Sequence, residues 1–160
     1  MRYLEGRDKE LAEDYCMCAA IVAMQSKCQK SCHGAILVKD GKIIGEGWNI
    51  PLPDDVCNPC RRLALQNHEN LAECNAIHAE RIAIDDALTD GYDVHGSVMY
   101  HARFKGGKVR RDNVPSCTSC STLVKEHGLE GFVLMQEQGY AYYAIEEFDL
   151  LSHEYNAGVE

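Results

Sequence analysis

The fold is decided by residues 34–44, which read Gly-Ala-Ile-Leu-Val-Lys-Asp-Gly-Lys-Ile-Ile. Two β-rich runs, 34–38 and 42–44, stand on either side of the pair Asp40-Gly41. An Asp-Gly pair between such runs favours a tight turn that joins antiparallel strands. The sequence therefore predicts a β-hairpin at this point.

Helical and extended patterns alternate on both sides of the hairpin. Apolar residues recur at three- to four-residue spacing from Asp8 to about Lys30, which predicts an amphipathic helix before it. After it we expect a helix from about Ala76 to Leu88, a strand over 97–101, a helix from an N-cap at Ser116 to about Glu126, and a strand over 131–135.

The order from the hairpin onward is thus β-β-α-β-α-β, which predicts an α/β protein with a mixed sheet that begins with an antiparallel hairpin and is covered by helices. Residues 141–155 are expected to be helical, and the stretches 49–72 and 102–115 are expected to be irregular.

Composition limits the class of protein. The chain has 160 residues, of which 46% are apolar and 26% charged, as expected for a single domain over residues 1–160. Its formal net charge of −9 argues against binding to a polynucleotide. We find no export signal and no apolar run near the roughly 20 residues of a membrane span, so a cytoplasmic protein with no membrane association is expected.

The nine cysteines are the unusual part of the composition. An odd number cannot pair completely within one chain, and thiols in a reducing compartment stay free or bind metal. The cysteines are therefore interpreted as metal ligands and as small buried hydrophobic residues.

Two motifs at predicted helix starts form a candidate catalytic zinc site. Cys117 and Cys120 lie three residues apart, so both sulfurs can face one point, and His78 adds a nitrogen. Three protein ligands leave the fourth position for water, as in catalytic rather than structural zinc sites. Glu80, two residues after His78, can take a proton from that water, which leaves a zinc-bound hydroxide as the nucleophile.

The pattern His-x-Glu followed by Cys-x-x-Cys resembles the zinc-dependent cytidine and deoxycytidylate deaminases. The likeness covers roughly residues 20–135 and is nearest to the deoxycytidylate deaminases. It is carried by residues 26–28, 34–36, 41–44, 47–51, 54–56, 61–62 and 77–80. The resemblance implies a three-layer α/β/α sandwich of the cytidine-deaminase type and hydrolysis of dCMP to dUMP and ammonia, with Glu80 as the proton shuttle.

The same resemblance implies where a nucleotide is bound. Asn49 would contact the sugar, and the backbone near Ala79 and Ser116 would approach the base. A phosphate needs local positive charge, and the candidates for it are Arg61, Arg62, Arg103, Lys105, Lys108, Arg110 and Arg111.

Four departures from the family pattern bear on the substrate. Ile50 and Ile82 replace the usual glycine and asparagine, Ser116 stands where proline normally precedes the first cysteine, and residues 105–108 resemble a flexible insertion. The alternatives are therefore the same chemistry on another nucleoside, base, nucleoside triphosphate or modified base. A catalytically inactive zinc-stabilised binding or regulatory module is the alternative from another class, although Glu80 is present.

A second, structural zinc is a further expectation, since some relatives hold one with a cysteine at the position of Cys28. Its ligands would come from Cys28, Cys57, Cys60, His68 and Cys74, and the alternative is that these thiols are free. His101 can face the site, and the role of Cys32 and His33 is open. The resemblance also implies a homo-oligomer and control by nucleoside triphosphates.

Overall fold

The computed structural model describes residues 1–52, 57, 59–65, 69, 71–111 and 113–158. Its strands are β1 (Arg2–Tyr3), β2 (Cys32–Lys39), β3 (Lys42–Trp48), β4 (Val98–Lys105), β5 (Lys108–Arg110), β6 (Gly131–Gln136) and β7 (Gly139–Ala144). Its helices are α1 (Gly6–Ala23), α2 (Ala79–Thr89), α3 (Thr118–Glu126) and α4 (Ile145–Ala157), with a short 3₁₀ turn at Leu71–Glu73.

The strands form a mixed sheet in the order β1-β7-β6-β4-β2-β3, with β5 paired to β4. Only β4 and β6 run parallel among the described strand pairs. The predicted hairpin is confirmed: Lys39 pairs with Lys42, and the two turn residues, Asp40 and Gly41, have φ angles of 51° and 75°. Glycine adopts a positive φ at little cost and aspartate tolerates it, which is why this pair makes the turn.

Helices cover both faces of the sheet, which confirms the three-layer α/β/α sandwich. Ala12, Cys16 and Ala19 of α1 pack on one face against side chains that include Ile36 and Val133. The other three helices pack on the opposite face, where the core comprises Ala35, Leu37, Ala83, Ile84, Met99, Val124, Phe132, Leu134 and Phe148. No helix in the described part of the chain is long and apolar enough to cross a membrane.

Two glycines let helices approach the sheet closely. A Cβ atom on Gly34 would lie 2.0 Å from the Ala19 carbonyl oxygen, and one on Gly47 would lie 2.4 Å from the Ala79 carbonyl oxygen and the Ala83 amide nitrogen. A side chain at either position would therefore push a helix away. Since Ala79 begins α2, Gly47 sets how deeply the start of that helix is seated.

The first helix is shorter than the sequence predicted. The helix α1 ends at Ala23 instead of near Lys30, because the chain turns back to lay β2 across it. Ser26 Oγ donates to the Asn49 carbonyl oxygen at 2.6 Å, which holds this turn against the end of β3.

The stretch expected to be irregular after residue 101 is largely a second hairpin. The strand β4 continues to Lys105, and β5 pairs back onto it with Arg103 opposite Arg110. Gly106 and Gly107, with φ angles of 62° and 76°, make the turn that the sequence suggested was a flexible insertion.

The C-terminal segment and one helix cap also differ from prediction. Residues 141–155 are not wholly helical, because the aromatic run up to Ala144 forms β7 and the helix begins at Ile145. The N-cap of α3 is Cys117 rather than Ser116, whose hydroxyl is engaged elsewhere.

Candidate active site

Two helix starts meet at a three-residue cluster. His78 is the N-cap of α2, Cys117 is the N-cap of α3, and Cys120 lies in the first turn of α3. His78 Nδ1 is 3.1 Å from Cys120 Sγ and 3.3 Å from Cys117 Sγ, and all three atoms lie within 4.8 Å of one another. The structure thus brings together the three predicted metal ligands.

The donor set fits zinc. Zinc bonds of about 2.0 Å to nitrogen and 2.3 Å to sulfur in a tetrahedron place those atoms roughly 3.5 Å apart, a few tenths of an ångström beyond the separations seen here. The Cys120 thiol and the His78 ring lower the pKa of Cys117 to about 5, and hydrogen bonds with Cys117 and Cys74 raise the pKa of His78 to about 11. These opposite pKa shifts correspond to a Cys117 thiolate beside a His78 imidazolium. A cation bound by both residues would displace the imidazolium proton.

Glu80 lies in the first turn of α2 and is only 5% exposed. Ser116 Oγ donates a 2.7 Å hydrogen bond to its Oε1. Burial on its own raises the pKa of a carboxyl, but the charges of His101 and His78 and the bond from Ser116 outweigh it and lower the pKa of Glu80 to about 2. Glu80 is therefore a carboxylate, the form that accepts a proton.

A cavity beside Glu80 is walled by the sheet. His33 from β2 and His101 from β4 both line it, and His33 Nδ1 lies 3.2 Å from His101 Nε2. Burial, followed by the charge of His101, holds the pKa of His33 well below its ordinary value, so His33 is uncharged at neutral pH. The sequence indicated that His101 can face the site, but it gave no partner for His33, which lies 68 residues away.

Asn49 lines the same cavity at the end of β3 and is 5% exposed. Its Oδ1 accepts a 2.8 Å hydrogen bond from the His33 backbone N–H, and its Nδ2 donates to the Ser31 carbonyl oxygen at 3.0 Å. The amide therefore braces the start of β2. Contact of Asn49 with a sugar stays a prediction, as do the contacts near Ala79 and Ser116, which also line the cavity.

Three arginines and one lysine bring positive charge to the cavity: Lys30, Arg62, Arg103 and Arg110. Lys30 Nζ donates to the carbonyl oxygens of Arg62, at 2.8 Å, and Leu65. It thereby ties residues 59–65 to the site, a role that no sequence pattern indicated.

The other predicted basic residues lie elsewhere. Four of the seven predicted basic residues are not among the described residues that line the cavity: Arg61, Lys105, Lys108 and Arg111. The guanidinium of Arg111 instead donates to the Tyr140 hydroxyl at 2.9 Å and lies over that ring. Arg62, Arg103 and Arg110 do line the cavity, and a phosphate contact at any of the seven stays a prediction.

All four cysteines predicted as ligands of a second zinc also line this cavity: Cys28, Cys57, Cys60 and Cys74. The cluster at His78 is the one group of three or more possible ligands that converges within the described residues. His68 lies outside the described residues, as do the family-like residues 54–56. The second zinc stays a prediction.

Comparisons with known proteins agree on one family. The zinc-binding region of cytidine and deoxycytidylate deaminases matches residues 9–136. A deoxycytidylate deaminase of Mycobacterium phage D29 is 31% identical over 127 residues, which is 74% of this chain and 89% of that protein.

Solved structures share the fold at lower identity. A dCMP deaminase from cyanophage S-TIM5, in complex with dCMP and dUMP, is 22% identical with a TM-score of 0.55, covering 79% of this chain and 82% of that one. Cytidine deaminase from Burkholderia pseudomallei is 19% identical with a TM-score of 0.54, covering 85% of this chain and 94% of that one.

Proposed function

Because the chain belongs to the family of cytidine and deoxycytidylate deaminases, we propose that this zinc-dependent deaminase hydrolyses dCMP to dUMP and ammonia. The observation that carries the proposal is a cavity in which the ligands His78 and Cys117 and the carboxylate of Glu80 share a wall with arginine side chains. Such a cavity offers both the chemistry of deamination and the charge that a nucleotide phosphate requires.

His78, Cys117 and Cys120 would hold the zinc ion, which would supply an acidified water molecule as the nucleophile at neutral pH. Glu80 accepts one proton from the attacking water and passes it to the ring nitrogen, then accepts the remaining proton of that oxygen and passes it to the departing amine. The bond from Ser116 to Oε1 keeps the carboxylate oriented through both transfers. One water is consumed and one ammonia released, so the shuttle ends each turnover in its starting state.

The phosphate is assigned to the arginines. Arg103 and Arg110 pair across β4 and β5, and Arg62 Nε is held by the Glu69 carbonyl oxygen at 2.9 Å. Guanidinium groups bind phosphate through charge-assisted, often bidentate hydrogen bonds. The relative from cyanophage S-TIM5 in complex with dCMP and dUMP supports a mononucleotide as the substrate class.

The direct test measures ammonia release from cytosine, deoxycytidine, dCMP and dCTP. We expect dCMP to have the highest kcat/KM. Glu80→Gln should lower kcat by about 10²- to 10⁴-fold while zinc stays bound, because the variant removes a proton acceptor and no metal ligand. Equal kcat/KM for deoxycytidine and dCMP would contradict the nucleotide assignment but leave deamination standing.

A matched pair of neighbouring arginines tests the phosphate site. Arg110→Ala should raise the KM for dCMP at least several-fold and leave the kinetics with deoxycytidine unchanged, because Arg110 lines the cavity. Arg111→Ala is the control, since that side chain is bound to Tyr140. Equal effects of the two variants on the KM for dCMP would show that the cavity arginines do not bind the phosphate.

Homo-oligomerisation and control by a nucleoside triphosphate are further parts of the proposal that rest on the family resemblance alone. A cytoplasmic location is a third part, proposed from the sequence pattern and not from the resemblance. Gel filtration and assays of dCMP deamination with added dCTP or dTTP address the first two.

A further inference from the structure

Ser116 ties the segment before the cysteine ligands to the carboxylate of Glu80. Its Oγ–H donates to Glu80 Oε1 at 2.7 Å, with 7% of Ser116 and 5% of Glu80 exposed. Hydrogen bonds to a charged acceptor are stronger than neutral ones, and this one is shielded from water. It therefore fixes the direction in which the carboxylate faces.

Asn156 holds Ser116 from the other side. Its Nδ2 donates to the carbonyl oxygen of Ser116 at 3.2 Å and to that of Ser152 at 2.6 Å, and the side chain is fully buried. Because both partners are carbonyl oxygens, only the amide nitrogen can face them, and two N–H groups are engaged. Moving Ser116 away from Glu80 would strand a buried donor, which is costly.

Asn156 belongs to α4, which lies outside the residues that match the family. Other contacts fix this helix in place: Phe148 stacks on Phe132 with ring centroids 4.0 Å apart, and Ser121 Oγ of α3 donates to Asp149 Oδ1 at 2.9 Å. The C-terminal helix is thus a fixed support from which Asn156 reaches the active site.

We infer that Ser116 and Asn156 are positioning residues for Glu80, with Ser116 acting on the carboxylate directly and Asn156 acting through Ser116. The inference rests on the proposed role of Glu80 as proton shuttle. It gives the side chain of Ser116 a role different from the backbone contact with the base that the family resemblance suggests.

The first test is Ser116→Ala, with Ser119→Ala as a matched control. Ser119 is an exposed serine that lies between Cys117 and Cys120. Misplacement of a reacting group typically costs up to about 100-fold, so we expect kcat for dCMP to fall roughly 10- to 100-fold in Ser116→Ala. KM and zinc content should stay at wild-type values. Ser116→Thr, which keeps a hydroxyl, should recover part of the loss, and Ser119→Ala should be unchanged.

Other outcomes overturn the inference. An unchanged kcat in Ser116→Ala would remove the positioning role, and a raised KM at constant kcat would assign Ser116 to substrate binding. Loss of zinc in Ser116→Ala would assign the residue to the metal site instead.

Asn156→Asp tests the second step, because a carboxylate cannot donate to the Ser116 carbonyl oxygen. If Asn156 acts through Ser116, Asn156→Asp combined with Ser116→Ala should have the kcat of Ser116→Ala alone. If the losses of kcat in the two single variants multiply in the double variant, Asn156 does not act through Ser116. If Asn156→Asp does not fold, Ser116→Ala still decides the role of Ser116.

A readout without activity separates this inference from the proposed function. In urea unfolding, a double-mutant cycle of Ser116→Ala and Glu80→Ala should show coupling between the two side chains, because Glu80→Ala removes the acceptor of the hydrogen bond. A wild-type protein that deaminates no cytosine compound but shows the coupling would refute the proposed substrate and leave the contact. The positioning role of Ser116 would be refuted, and the proposed function kept, if the wild type and Ser116→Ala were fully active while Glu80→Gln was inactive.

Discussion

Gly47→Ala tests whether the packing of β3 on α2 sets the geometry of the active site. The new Cβ would lie 2.4 Å from the Ala79 carbonyl oxygen and 2.4 Å from the Ala83 amide nitrogen, both backbone atoms. Carbon and oxygen ordinarily approach to about 3.3 Å, so the start of α2 must retreat by about 1 Å. Overpacking of this kind costs about 1–3 kcal/mol in the free energy of unfolding.

The retreat matters for activity because α2 carries His78 at its N-cap and Glu80 in its first turn. A displacement of about 1 Å in a catalytic group can lower kcat about 100-fold. We therefore expect Gly47→Ala to unfold at a lower urea concentration and to have a lower kcat for dCMP. It should also release zinc to a chelator more readily than the wild type.

Gly34→Ala is the matched control on the opposite face of the sheet. Its Cβ would meet the Ala19 carbonyl oxygen at 2.0 Å and push α1, which carries no proposed site residue. It should lose at least as much stability while kcat and zinc retention stay near wild type. The packing of β3 on α2 would not set the geometry of the active site if Gly47→Ala kept wild-type kcat and zinc. The same would follow if both variants lost activity in proportion to stability.

Three further predictions concern stability and metal content. Burial raises the pKa of Asp149, but hydrogen bonds from Lys125 and Ser121 outweigh burial and lower this pKa. The stability that the carboxylate contributes to the fold is therefore complete above its pKa in the unfolded chain, about 3.9, and is lost as the pH falls through the lower pKa of the folded state. Asp149→Asn should therefore flatten that part of the acid-unfolding curve measured by circular dichroism, and an unchanged curve would contradict this. Phe148→Ala, at a fully buried position, should lower the free energy of urea unfolding by about 3–5 kcal/mol, and a loss below 1 kcal/mol would refute the packing of α4. Cys117→Ser should abolish one equivalent of zinc in metal analysis, and zinc that remains would support the second site.

The sequence was sufficient for the features that depend on local patterns. The hairpin at Asp40-Gly41 follows from turn chemistry, and the cluster of His78 with Cys117 and Cys120 follows from ligand spacing at helix starts. Local periodicity failed where the answer depends on distant partners. β7 forms from an aromatic run that pairs with β1, at the other end of the chain, as well as with the neighbouring β6, and residues 141–144 of this strand were predicted to be helical.

Side-chain roles were hardest to predict where the partners are far apart in sequence. Asn156 is 40 residues from Ser116, and Lys30 is 32 residues from the carbonyl group of Arg62 that it binds. Neither pair has a spacing rule, because tertiary packing and not the local chain brings the two residues together. Ser116 shows a further difficulty: a serine before a helix suggests an N-cap, but the hydroxyl instead binds the carboxylate of Glu80.

The β4–β5 hairpin reconciles an acidic chain with the proposed phosphate site. Arg103 and Arg110 are directly opposed in the antiparallel register, so their side chains share a face of the sheet. Like charges in opposed positions destabilise a hairpin, and an anion bound between them relieves that repulsion. We expect the average surface of a chain with a net charge of −9 to repel a polynucleotide, whereas this pairing concentrates positive charge at one cavity. The same acidic chain is therefore expected to exclude a polymer of phosphates and still bind one phosphate group at the proposed site.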